Sequence, residues 1–115
     1  MTDAEKLTAI KTLLDDGGEM PSDDKLNTYI TLAKNEILNW LYWDIGGVPD
    51  NTNLPSRYDG VQIYAVIAGY THAGAEGQSA HIENGVHRNF SYDDMVGYIR
   101  DTRHVTPYVR IGGSA

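Results

Sequence analysis

A chain of 115 residues, 41% hydrophobic and 22% charged, has the size and composition of one domain with one modest core, burying roughly two-thirds of its unfolded surface. It contains no cysteine, which excludes a disulfide framework or a thiolate metal site and leaves stability to packing or to partner subunits. A net charge of −7 opposes duplex DNA, whose binding needs Lys and Arg to displace counterions from phosphate, so a reader of DNA sequence is not expected.

The opening stretch MTDAEKLTAI is acidic and polar rather than basic then apolar, and no apolar run approaches the ~20 residues that span a bilayer. A soluble protein without a signal peptide, and with no membrane partner, is the expectation. Its charge is uneven. Up to Gly60, eleven carboxylates face Lys6, Lys11, Lys25, Lys34 and Arg57, whereas from Met95 onward Arg100, Arg103 and Arg110 face only Asp101. An acidic head and a mildly basic tail can steer like subunits or a partner into register.

Thr2 and Glu5 form a capping box, which predicts a first helix from Asp3 to about Leu14, burying Leu7, Ile10 and Leu14 and stopping at Gly17-Gly18. Ser22 is a second N-cap. Leu26, Ile30, Ala33, Ile37 and Leu41 then recur at helical spacing, so a long amphipathic second helix follows. Two glycines and two prolines make Gly46 to Pro55 a loop, long enough to suggest a contact function. The third helix is expected from about Ser56 to Ala73, with Gly74 as its C-cap. Its centre, VQIYAVIAGY, is apolar on nearly every face and must be covered on more than one side, either as the central core helix or with help from a neighbouring subunit.

SAHIENGVHRNF places turn chemistry at Asn84-Gly85 between Ile82 and Val86, the pattern of a β-hairpin. A three-residue turn sets His81 opposite His87, and a two-residue turn shifts that register by one. Both registers remain open. An isolated hairpin is marginal in water, so this one must lean on its own helices or on another chain. Ser91 with Asp94 makes another capping box, flanked by Phe90 and Met95 in staple positions, and starts a fourth helix from Tyr92 to about Arg103. Pro107 and the alternation in VTPYVRIGGSA then predict an extended tail. The expected architecture is all-α. It is a small bundle of about four helices with a β-hairpin insertion between the third and fourth, comprising a helical domain over 1–104, the hairpin at about 78–90, and an extended arm over 105–115.

No constellation in the chain supports catalysis. A P-loop run is absent, Gly74 to Gly77 places Glu76 where an RNA-clamping loop needs positive surroundings, and GQSAH lacks the second glycine of a nucleophile elbow. His72, His81, His87 and His104 lack the spacing of a zinc site, and Asp93-Asp94 are the carboxylates that helix starts favour. We expect no enzyme, no cofactor and no metal.

The acidic helical domain, the glycine-bounded GAEG segment and the closing PYVRI together resemble the head-tail connector proteins of tailed bacteriophages, also called adaptor or head-completion proteins. The likeness spans most of the chain from Leu26 onward. It rests chiefly on AGAEGQSAHIENGVHRNFS, Ala73 to Ser91, and on TPYVRI, Thr106 to Ile111, with Ala80-His81-Ile82 less polar than the family pattern. The resemblance implies a homo-oligomeric ring, typically of about twelve copies, beneath the portal protein at the DNA exit vertex. Such a ring extends the channel and offers a docking surface to a tail-completion or stopper protein. DNA is then only transiting cargo. The expected location is the virion neck, and the host cytoplasm during assembly.

In that setting the hairpin is the expected subunit contact, through Gly77, Ser79, His81, Ile82, Asn84, Gly85, Val86 and Arg88. The tail is the expected portal-binding arm, through Val105, Pro107, Tyr108, Val109, Arg110 and Ile111, since an extended segment can add to a partner's sheet edge; a tail folded back on its own helices is the alternative. A tail-completion or other small ring-forming neck protein is the nearest alternative. A small helical regulator is more distant, because it needs a basic recognition helix and the second and third helices are acidic or apolar.

Overall fold

A computed structural model describes residues 1–15, 17–18, 20–75 and 90–109, with side chains for all of these but 71–75. Helix α1 spans Asp3–Leu14. It begins where the capping box requires: Thr2 Oγ1 accepts from the Glu5 N–H at 3.1 Å, and Glu5 Oε1 accepts from the Thr2 N–H at 2.7 Å. Ile10 and Leu14 are buried and Leu7 packs beside them. Helix α2, Asp23–Leu41, starts on Ser22, whose Oγ accepts from the Lys25 N–H at 3.2 Å. Its Leu26, Ile30, Ala33, Ile37 and Leu41 form one buried stripe, as the spacing predicts.

A 3₁₀ turn over Trp43–Ile45 closes α2 and runs into Gly46 and Gly47, at φ 102° and 101°. Two successive left-handed residues favour glycine, because a Cβ there would crowd the backbone. The expected third helix begins later and ends later than its sequence suggests. Ser56–Tyr58 form a separate 3₁₀ turn, and α3 spans Asp59–Ala75, passing through Gly74 instead of being capped by it. The flanking Ala73 and Ala75 are the strongest helix formers and carry the chain past one glycine.

Helix α3 packs against α1, α2 and α4, so the apolar centre is covered within the subunit. Ile63, Ala65, Val66 and Tyr70 are buried, while Tyr64 is half exposed. Three polar side chains share this interior. Gln62 donates from Nε2 to the Ile30 carbonyl at 2.8 Å, and Lys6 meets Asp59 at 3.2 Å, both nearly hidden from solvent. The N-terminal ammonium completes the ion cluster, 3.0 Å from Asp59 Oδ2.

Chain re-entry after the segment 76–89 is fixed by aromatic packing. The Phe90 ring stacks on Tyr29 with centroids 3.7 Å apart and meets Tyr70 edge-on, while the Ser91 N–H donates to the Gly69 carbonyl at 3.1 Å. Helix α4, Tyr92–Arg100, then starts with the Ser91 hydroxyl accepting from the Asp94 N–H at 3.2 Å. It stops short of the expected Arg103. Asp101 Oδ1 accepts from the Arg103 N–H at 2.9 Å, an Asx-type turn that competes with helix continuation, and the carboxylate also grips the Arg103 guanidinium. The described residues contain four α-helices and no strand. The hairpin expected at about 78–90 falls outside them, apart from Phe90.

Candidate interaction surface

The C-terminal end of α2 collects aromatic and cationic side chains from three parts of the chain. Trp40 and Trp43 come from α2 and its closing turn, and Arg100 of α4 places its guanidinium 5.4 Å from the Trp40 ring and 5.9 Å from the Trp43 ring. Trp43 is 69% exposed, which is unusual for so large an apolar side chain. Glu36 holds the α4 side of this surface, accepting from the Tyr92 hydroxyl and lying 3.7 Å from Arg100. That hydrogen bond, with burial adding to it, pushes the Tyr92 phenol up to about 12.

The tail completes the surface. Val105 is fully buried in the core, and its carbonyl accepts from the Trp40 indole N–H at 2.8 Å. The Tyr108 N–H donates to the Leu41 carbonyl at 2.8 Å, satisfying a group that the end of α2 leaves open. Tyr108 packs edge-on against Tyr42, with centroids 5.2 Å apart, and its hydroxyl accepts from Arg57 at 3.0 Å. Arg57 also lies over the Tyr58 ring, and it meets no carboxylate among the described residues. His104 stacks on Tyr98 and sits 2.8 Å from the Tyr98 carbonyl, so it serves the end of α4.

Of the expected arm, Val105 and Tyr108 are therefore tied to the bundle, Pro107 is half-buried between them, and Val109 is 68% exposed. Arg110 and Ile111 lie outside the described residues. So do Gly77, Ser79, His81, Ile82, Asn84, Gly85, Val86 and Arg88 of the expected hairpin contact. Sequence reasoning missed Trp40, Trp43, Arg57 and Arg100. A signal for them exists in WLYW, Trp40 to Trp43, where aromatics continue past the buried stripe to the end of the helix and stop at two glycines.

A concavity of about 240 Å³ lies at the α1–α3 junction and is lined by Met1, Asp3, Lys6, Lys34, Leu54 and Asp59 among others. Burial alone would raise the Asp59 carboxyl, but hydrogen bonds from the N-terminal ammonium and Lys6 outweigh it and hold the group below its ordinary value. Its charges thus serve each other. No group of three or more His, Asp or Glu among the described residues is placed to hold a metal ion.

Among the described residues the chain is thus all-helical, with an exposed aromatic and cationic end. In comparison with known families, the phage gp6-like head-tail connector protein family matches residues 4–103. The chain belongs to that family, a structural family of the phage neck. No curated protein and no solved structure matches it.

Proposed function

We propose that the protein is a structural subunit of the virion that assembles as a homo-oligomeric ring under the portal, joins capsid to tail and extends the DNA channel. The observation that carries this reading is the family match over residues 4–103. The aromatic end of α2 supports it, since exposed Trp, Tyr and Arg in one patch are the composition of binding hot spots. A net charge of −7 supports it too, because a conduit wall that bound DNA tightly would slow its passage. Residues 105–111 are the arm for the portal. In that assignment Val105 to Tyr108 root the arm on α2, and the chain from Val109 onward makes the contact. The segment over 78–90 is a subunit contact within the ring, and the tail side receives a tail-completion or stopper protein.

The test is direct. Purified subunit mixed with its portal under conditions that support assembly should add a ring visible by electron microscopy. A portal that remains bare defeats the reading.

A further inference from the structure

Arg100 is the meeting point of the surface at the end of α2. Its guanidinium carbon lies 5.4 Å from the Trp40 ring and 5.9 Å from the Trp43 ring, and one of its nitrogens is 3.7 Å from Glu36 Oε1. The other Glu36 oxygen accepts from the Tyr92 hydroxyl, so a single carboxylate on α2 engages the first and the last residue of α4. Each of these contacts is modest at an exposed site. They share one guanidinium, however, and the side-chain freedom lost in holding it is lost only once. The two ends of the chain of contacts differ in exposure: Trp43 stands 69% exposed, whereas the Glu36 side chain is only 16% exposed. Glu36 therefore lies behind the surface that Trp43 presents.

We propose that Glu36 is a positioning residue for Trp43: it aims the Arg100 guanidinium at the two indoles, and the guanidinium holds the Trp43 ring in one orientation within the isolated subunit. An exposed side chain left to itself exchanges rotamers on the picosecond to nanosecond scale, and ordering it at the moment of contact weakens binding. A carboxylate suits the task, since it accepts from the phenol and attracts the guanidinium at once; glutamine keeps the first ability and loses the second. The planar guanidinium suits it too, because it lies against an aromatic face as an ammonium does not. The consequence for assembly rests on the ring reading above: a residue that contributes little exposed surface of its own then sets how readily the subunit joins its partners.

The test is nitrogen-15 relaxation of the two indole N–H groups in the full chain without portal, assigned with Trp43→Phe. In wild type both indoles should be rigid, with order parameters of roughly 0.8 or above. Glu36→Gln and Arg100→Gln should each lower the Trp43 value to about 0.6 or below. Trp40, half-buried with its N–H engaged, should stay near its wild-type value, whereas general loosening of the fold would move both. Arg100→Lys should restore Trp43 only in part. Circular dichroism verifies folding, and if Glu36→Gln unfolds the chain, Arg100→Gln at its half-exposed position carries the test. A Trp43 ring that is mobile in wild type, or equally ordered in both variants, overturns the proposal. On portal, Glu36→Gln should need several-fold more subunit than wild type to add a ring seen by electron microscopy; an equal requirement overturns the consequence for assembly. Wild-type chain that adds no ring defeats the ring reading and leaves the relaxation result to decide the positioning of Trp43.

Discussion

Gly69 lies in α3 where a Cβ would stand 2.5 Å from Cε1 of the Phe90 ring, closer than any ordinary contact. That ring is clamped between Tyr29 and Tyr70 and cannot yield without breaking the stack. Gly69→Ala should therefore cost roughly 1–3 kcal/mol by overpacking, whereas Gly97→Ala, with open space around it in α4, should gain about 0.5–1 kcal/mol from helix propensity. Urea melts of the two variants give the opposite signs if the packing is right. Asp59 offers a second residue-scale test. Its carboxyl is held below the ordinary value, so its stabilising effect is complete above the unfolded pKa and disappears as pH falls through the folded one. Asp59→Asn leaves Lys6 buried without its main partner and should cost about 3 kcal/mol at pH 7. The gap from wild type should narrow as the medium is acidified below the carboxylate range. A gap independent of pH would mean that charge is not what Asp59 contributes. Neither residue announces itself in the sequence: a lysine and an aspartate in an acidic head look like solvated surface, and Gly69 looks like a weak point in a helix.

At the scale of elements, the caps were legible because their chemistry is local. Thr2, Ser22 and Ser91 sit beside the N–H groups they satisfy, so the starts of α1, α2 and α4 could be placed to the residue. The end of α4 was not legible, since Asp101 folds back on Arg103 in competition with a helix that Arg103 and His104 would also have suited. The docking of the tail's first residues was not decided by the sequence, for a different reason. Alternating apolar residues show that a segment has two faces, but not that its own bundle receives one of them at Trp40 and Leu41. This docking sets the outcome of truncation. Ending the chain after His104 removes fully buried Val105, worth roughly 1.5–3 kcal/mol, and the hydrogen bonds to Trp40 and Leu41. Ending it after Val109 removes none of these. Thermal melts should show a clear loss for the shorter chain and little for the longer one, which we expect to keep its helices yet bind portal poorly.

For the molecule as a whole, the all-α bundle could be anticipated from four periodic segments, and the third of them is indeed the central one. The aromatic and cationic surface could not, because its parts lie at residues 40–43, 57, 100 and 108 and meet only when α4 and the tail close over the end of α2. That convergence has an optical consequence. The chain's two tryptophans both sit on this one end, Trp40 half-buried with its indole N–H engaged and Trp43 open to water. Intrinsic fluorescence is therefore a local gauge: a partner that covers this end should shift the Trp43 component of the emission to shorter wavelength, and one that binds at the opposite end of α2 should leave the spectrum where it was.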